Sequence, residues 1–321
     1  MSGTVLLLTH TGDFFTIDRV AAALQQLGAR PFRLDTDRFP ASLGLSHRSG
    51  SGASLVRRDG GDELVLEDVS AVWVRHIWQP SLDPALDPRF VEHSLRETYA
   101  AFTGLLDALH GASWIDRPVV ASAAEDKARQ LRLAKDAGLA IPRTLLSNDP
   151  VAVRAFAAEI AAPIVCKLLR PLSVSMGRSG AFVGTNLLRP EDLADLEGLR
   201  HCPMLFQERI EKERELRIVF VDGDVFCGSL FAPPGSKGGV DWRLAEPGEL
   251  AWRKDSVPDD VAAGIGALMA RLGLRFGALD VIREPGGRHV FLEVNPGGEW
   301  GMLERDLGLP ISLAIARALL R

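Results

Sequence analysis

Short apolar runs alternate with amphipathic stretches through the first third of the chain, the pattern of an open α/β sheet. Val5 to Thr9 reads as a strand, Ile17 to Leu27 as a helix stopped by Gly28, and Phe32 to Asp35 as a second strand. A polar, glycine-rich stretch from Ser46 to Ser54 leads into a predicted hairpin, Ser54 to Arg58 and Glu63 to Leu66, around Asp59-Gly60-Gly61. Strand Ala71 to Ile77, a helix from about Arg89 to Leu109 and a short strand at Trp114-Ile115 follow, and Pro118 closes this first lobe.

Beyond it, Glu125 to Ala137 is an amphipathic helix with Gly138 just past its end. Strand Pro142 to Leu146, a helix Pro150 to Ile160 capped by Asp149, strand Ile164 to Leu169, strand Ala181 to Gly184 and helix Pro190 to Leu199 make a small β-α-β-β-α lobe. The rest runs through strand Met204 to Ile210, a hairpin Leu216 to Phe231 turning at Asp222-Gly223, helix Asp259 to Leu272, a second hairpin, and a helix entered through Pro310. Three divisions are expected: 1–120, 121–203 and 204–321.

The second hairpin carries the strongest chemical signal. Phe276 to Ile282 and Val290 to Pro296 are apolar strands joined through Pro285-Gly286-Gly287, yet each holds an acid. If Pro285 to Arg288 form the turn, Glu284 pairs with His289 and Asp280 lies directly across from Glu293. Like charges so placed, with Cβ atoms about 5 Å apart, repel and destabilise a bare hairpin. A cation is therefore expected between them. Asn295 shares that face, and two carboxylates with an amide oxygen form a hard ligand set that suits Mg²⁺ better than Zn²⁺. The plainer alternative is a one-sided hairpin with solvated acids, although Ala278, Ile282 and Phe291 share the expected face.

Composition narrows the field without adding chemistry. With 321 residues, 46% hydrophobic and 25% charged, the chain is an ordinary globular protein too long for one small core. A net charge of −5 argues against a general nucleic-acid binder. Cys166, Cys202 and Cys227 form no Cys-x-x-Cys pair and an odd set, so neither a disulfide framework nor a zinc knuckle is indicated. No signal peptide or bilayer-crossing segment is evident, and a reducing, cytoplasmic setting is expected.

Other residues carry weaker signals. Lys167 lies in an apolar run, Pro163 to Leu169, where a buried ammonium needs a phosphate or carboxylate; the plainer alternative is an edge-strand lysine that snorkels to solvent. Lys127 sits near a helix start, a placement opposed by the helix dipole unless the side chain reaches an anion. The Ser/Gly-rich loop Arg170 to Gly180 offers backbone N–H groups for a phosphate chain and is the candidate lid, while the P-loop and dinucleotide signatures are absent. Glu215 and Arg217 share a face of an extended segment that becomes buried at Ile218, and an arginine there can meet a transferring phosphoryl group.

The order of these residues, Lys127, Lys167, Gln207-Glu208, Arg217, Asp280 and Glu293-x-Asn295, resembles the ATP-grasp superfamily over about the last two-thirds of the chain. That resemblance implies an α/β ATP-grasp fold with an N-terminal pre-grasp domain, a small central lobe and a C-terminal mixed-sheet lobe. Lys127 and Lys167 would contact the ATP phosphates, with Lys167 also near the adenine. Gln207, Glu208 and Ile210 would form the adenine hinge, Glu215 would bind the ribose, and Arg217 would meet the γ-phosphate and the reacting carboxylate. Asp280, Glu293 and Asn295 would hold Mg²⁺.

Within the superfamily, Arg33-Leu34-Asp35-Thr36-Asp37-Arg38-Phe39-Pro40, Val72-Trp73-Val74-Arg75 and Glu293-Val294-Asn295-Pro296-Gly297-Gly298-Glu299-Trp300 are similar to signatures of the microviridin-type ring-closing ligases, or graspetide synthetases. These activate Asp or Glu side chains of a ribosomal precursor peptide, and Ser, Thr or Lys side chains then close ester or amide rings. Arg75 is expected to contact substrate. Asp222, Asp224, Val225 and Phe226, at the hairpin turn, are expected to dock the precursor's leader segment. Glu299 stands where many members carry Gln. No nucleic-acid or membrane partner is expected, and the chain is expected to form a homodimer. Two alternatives remain: a superfamily ligase acting on free amino acids or adding glutamate to a protein tail, and a nucleotide-bound recognition protein without turnover.

Overall fold

The computed structural model describes residues 3–48, 53–170, 172–173, 182–233, 242 and 249–321. Two compact units divide the chain, 1–119 with 310–321, and 120–309. In the first, β1 (Thr4–Thr9), α1 (Thr16–Gln26) and β2 (Arg30–Asp35) precede a small antiparallel sheet of β3 (Leu43–Ser46), β4 (Leu55–Arg58) and β5 (Glu63–Val65). Then come β6 (Val69–Val74), α2 (Pro88–Ala108) and β7 (Ser113–Ile115). The expected hairpin around Asp59-Gly60-Gly61 is the β4–β5 pair; β3, which ends where the polar, glycine-rich stretch begins, was not expected.

The main sheet of this unit is parallel, in the order β2-β1-β6-β7. Every residue of β1 is buried, as a central parallel strand requires. Helix α1 buries Ile17, Val20, Ala23 and Leu24 and ends before Gly28, whose φ of 79° few other residues adopt cheaply. The loops after β1 and β6 meet where the strand order reverses, the position at which open α/β sheets form crevices. There buried Asp13 receives the Thr9 hydroxyl and lies 3.9 Å from the Arg75 guanidinium and 4.0 Å from His76 Nδ1. His10 stacks on Trp78 at 4.8 Å.

The second unit begins within α3 (Pro118–Ala124), so Pro118 stands at the expected end of the first lobe's main segment and also starts a helix that was not expected. Next are α4 (Lys127–Asp136), β8 (Thr144–Ser147), α5 (Pro150–Ile160), β9 (Ile164–Lys167), β10 (Leu172–Ser173), β11 (Phe182–Val183), β12 (Asn186–Leu188), α6 (Pro190–Ala194) and β13 (Met204–Glu208). Strands β12-β9-β13-β8 form an antiparallel sheet. One of its faces buries Ile164 and Phe206 with Val153 and Ile160 of α5, which leaves Lys167, Leu205 and Gln207 to the other. The candidate lid, Arg170 to Gly180, lies largely outside the described residues.

A five-stranded antiparallel sheet follows, built from β14 (Arg214–Val221), β15 (Asp224–Leu230), β16 (Arg253–Lys254), β17 (Phe276–Arg283) and β18 (His289–Asn295), with α7 (Asp259–Leu272) inserted before β17. Leu216, Ile218, Leu279, Val281, Phe291 and Val294 pack on Ile265, Leu268 and Met269 of α7 and Leu131 and Ala134 of α4. By alternation, Glu215, Arg217, Ala278 and Asp280 face the other way. Helix α8 (Gly301–Leu307) closes this unit, and α9 (Ile311–Leu319) belongs to the first, packed on α1.

The β17–β18 register corrects one expectation and bears out another. Arg283, rather than Glu284, pairs with His289, and the turn closes through Glu284 N–H to Arg288 O at 2.9 Å. Gly287, with φ of 81°, lets the turn tighten by one residue. A bulge at Leu292 absorbs the difference, so that Asp280 still faces Glu293. Phe291 and Val294 therefore point into the core while Leu292 packs with Ile210, Ile282 and Val290.

The Asp13 cluster yields a pH prediction for the first unit. Burial raises the Asp13 carboxyl pKa, but His76, Thr9 and Arg75 outweigh it and bring it to about 2. Burial and the neighbouring Arg75 hold His76 below its ordinary value of 6.5. Both folded-state values are depressed, so the unfolded chain binds more protons as pH falls and stability declines. Hydrogen exchange of β1 and β6 amides should accelerate as pH drops below 6.5, after correction for intrinsic rates, with the Asp13 contribution lost only as pH falls from 3.8 towards 2. Replacing His76 by Gln should flatten the upper part of that profile.

Candidate nucleotide and metal site

The acids facing each other across β17 and β18 are already neutralised by the protein's own cations. Glu293 Oε2 receives the Lys127 ammonium in a direct hydrogen bond and lies 3.8 Å from Lys167 Nζ. Asp280 Oδ1 accepts from Arg217 Nη1 at 2.7 Å. One cation was expected between the two carboxylates; instead each acid has its own protein cation, from α4 and β9 for Glu293 and from β14 for Asp280. Lys127 and Glu293 are each only 8% exposed, so neither charge could persist there alone at low cost.

Local sequence explains how Lys127 arrives. Asp126 caps α4 by accepting the Arg129 N–H at 3.0 Å, which fixes Lys127 as the first helical residue. One turn later, buried Gln130 clamps β18: its Oε1 accepts Val294 N–H at 2.9 Å and its amide donates to Val294 O at 2.8 Å. A cation at a helix start opposes the dipole, and the ion pair with Glu293 offsets that. Sequence reasoning missed Gln130; its spacing of three from Lys127, on the same helix face, was the available signal.

Arg217 is held on three sides. Besides Asp280, its Nε and Nη2 both donate to the Glu299 backbone carbonyl, at 3.1 and 2.9 Å. Glu299 Oε1 in turn accepts from the N–H groups of Trp300 at 3.0 Å and Gly301 at 2.6 Å. A Gln amide oxygen could accept those two bonds equally well, which gives the Glu299 departure a simple physical basis.

Around the expected hinge, buried Gln207 donates to the Thr144 hydroxyl at 3.0 Å. Glu208 grips Arg143 through the backbone N–H and Nε, both at 2.8 Å. Burial works against the Glu208 charge, but those bonds outweigh it and hold the carboxyl below its usual range. Ile210 joins an apolar patch with Leu292, Ile282 and Val290. Glu215 pairs with Lys212 at 2.6 Å and faces the same way as Arg217. Asn295 lies beside Glu293, its amide 3.4 Å from Oε1. Two carboxylates and an amide oxygen on one face fit a hard divalent cation, with Lys127, Lys167 and Arg217 close enough to meet phosphates.

Other expected residues make contacts of their own. Asp222, at φ of 49° in the β14–β15 turn, is clasped by Arg275 at 3.0 Å, while Asp224 is exposed. Val225 packs against the core of the second unit, and Phe226 is half-buried. Arg75 belongs to the first unit. A groove of about 600 Å³ along α4 and β8 is lined by Leu131, Leu139, Ile141 and Leu205, with Arg143 and Thr144 among its other walls. Among the described residues no helix is long and apolar enough to cross a membrane.

Comparisons with known proteins bear on the fold and the family. A family profile described as the MvdD pre-ATP grasp domain matches residues 4–121. The crystal structure of macrocyclase MdnB from Microcystis aeruginosa MRC shares 45% identity over 99% of both chains, with a TM-score of 0.84. That of macrocyclase MdnC, bound with precursor peptide MdnA and from the same organism, shares 36% over 99% of both, with a TM-score of 0.88. A Chryseobacterium gregarium RiPP-associated ATP-grasp ligase, in complex with ADP and a leader and core peptide, shares 28% over 99% of this chain and 96% of that one, at 0.89. No match was found among curated proteins. With a pre-grasp first unit, the Lys127–Glu293 and Arg217–Asp280 pairs in the second, and full-length similarity to both macrocyclases, the chain belongs to the microviridin-type ATP-grasp ligases.

Proposed function

We propose that the chain is an ATP-dependent, ADP-forming peptide macrocyclase that activates Asp or Glu side chains of a ribosomal precursor as acyl phosphates and joins them to Ser, Thr or Lys side chains of the same peptide. The observation that carries this reading is the convergence of Lys127, Lys167 and Arg217 on the facing acids Glu293 and Asp280. Three cations and two acids on neighbouring strands are what in-line phosphoryl transfer between two anionic reactants requires.

In this reading Ile210 and Leu292 supply the apolar floor for the purine, Gln207 and Glu208 shape the hinge, and Glu215 takes the ribose. Lys127 and Lys167 meet the phosphates. Asp280, Glu293 and Asn295 would hold Mg²⁺, which when bound neutralises phosphate charge. Arg217 orients the acceptor carboxylate against the γ-phosphate through its planar fork. Arg75 contacts substrate, and the chain acts as a homodimer, which sedimentation would check. The leader docks on the β14–β15 hairpin, so that a tethered core reaches an effective concentration on the order of millimolar.

The direct test is mass spectrometry of an acidic, Thr- and Ser-containing precursor after incubation with the chain, ATP and Mg²⁺: each ring removes one water. A peptide of unchanged mass, with ADP released, would refute the macrocyclase. Asp280→Asn and Glu293→Gln should each abolish Mg²⁺-dependent turnover while circular dichroism stays native, since each isosteric amide keeps an acceptor oxygen for Arg217 or Lys127. Full activity in either variant would refute the metal assignment. Arg217→Lys should keep nucleotide affinity and lose at least about a hundredfold in kcat, because an ammonium cannot reproduce the fork.

For the leader, the exposed Asp224 is a cleaner probe than Asp222, whose ion pair with Arg275 braces the turn. Asp224→Lys should change leader affinity measured by calorimetry and leave nucleotide affinity unaltered. A free leader peptide should compete with precursor without displacing ATP; cyclisation of the isolated core as fast as of the full precursor would contradict docking.

A further inference from the structure

The Arg217 guanidinium is more tightly bounded than an ion pair with Asp280 alone would make it. Nε and Nη2 donate to one acceptor, the Glu299 carbonyl, while Nη1 donates to Asp280. On its remaining flank lies Gly298. A Cβ built at that glycine would sit 2.8 Å from Arg217 Nη2, 2.6 Å from Ala278 Cβ and 3.0 Å from Asn295 Cβ. No side chain fits there without moving the guanidinium or the backbone. The carbonyl that holds Arg217 is itself fixed, because the Glu299 carboxylate accepts from Trp300 and Gly301 at the start of α8, and the Gly298 N–H donates to the Asn295 carbonyl at the end of β18 at 3.0 Å. Trp300, fully buried, anchors the far side of the same turn.

We infer that Gly298 and Glu299 are positioning residues for Arg217: the glycine leaves room for the guanidinium plane and Glu299 locks the carbonyl that sets its orientation. Neither touches the reacting atoms. Their effect passes through Arg217, so the inference rests on the proposed role of that arginine at the transferring phosphate. A planar donor group serves in-line transfer only at the correct tilt, and a displacement of about 1 Å in such a group costs about a hundredfold in rate.

The expected behaviour separates this role from simple structural support. In the full-length chain without nucleotide, the Arg217 Nε–H, assigned by nitrogen-15 NMR through loss of its signal in Arg217→Lys, should exchange slowly with solvent. Glu299→Ala should speed that exchange by roughly tenfold, the loss of about one hydrogen bond's restraint. Glu299→Gln, which keeps the acceptor oxygen, should restore the slow exchange. Gly298→Ala should speed it as well by pushing on Nη2, and it keeps the test open should Glu299→Ala fail to fold. In steady-state assays both perturbing variants should lose about a hundredfold in kcat with the KM for ATP within about twofold of the parent. Unchanged exchange in both Glu299→Ala and Gly298→Ala would overturn the inference, and so would a Glu299→Gln variant as perturbed as Glu299→Ala. Faster exchange with undiminished kcat would uphold the positioning and refute the role of Arg217 in phosphoryl transfer.

Discussion

The repulsion between Asp280 and Glu293 is the constraint on which the second unit depends. Like charges directly opposite one another on paired strands destabilise the pair. Here the cost is removed by bringing Lys127 from α4, Lys167 from β9 and Arg217 from β14 to the same face. Three separate elements are thereby committed to one point. Truncating any of the three would leave a carboxylate less compensated, which is why the cluster is both a structural tie and a chemical site.

Packing delivers these charges to their places. One face of the β14–β15–β17–β18 sheet is sealed by α7 and α4, so alternation leaves Arg217 and Asp280 on the other. The bulge at Leu292 sets Glu293 opposite Asp280 although the turn is one residue shorter than a regular ladder would need. It also puts Leu292 and Glu293 side by side on that face, an apolar surface beside a charged one. The Gln130 clamp on Val294 then fixes the helix that carries Lys127.

Much of this was legible in the sequence because it follows from short-range rules. The α/β alternation of the first unit, the Asp149 cap, the Asp222-Gly223 turn and the facing acids each come from period, propensity or turn chemistry. What was not legible depends on backbone geometry at a single residue or on distant partners. A bulge leaves no compositional mark in a strand as apolar as Val290 to Leu292, so the His289 partner was misplaced by one. The facing acids called for a cation, but nothing local said that Lys127, 166 residues from Glu293, would be one of those that answer. Helix α3 was hidden by Pro118, which marks a helix start as readily as a lobe end. The bracket on Arg217 uses a backbone carbonyl, which no side-chain pattern encodes.

The central claim is that Lys127 and Lys167 are shared: they neutralise Glu293 until phosphates and a divalent cation take over both halves of the pair. Calorimetric titration of the full-length chain with a non-hydrolysable ATP analogue, with excess chelator and no Mg²⁺, isolates the lysine half. Glu293→Gln frees both ammonium groups, so its metal-free affinity should exceed that of the parent by about tenfold, or about 1.4 kcal/mol. With Mg²⁺ present the order should reverse, because the variant has lost a ligand. A variant that binds the metal-free nucleotide no more tightly than the parent would contradict the account.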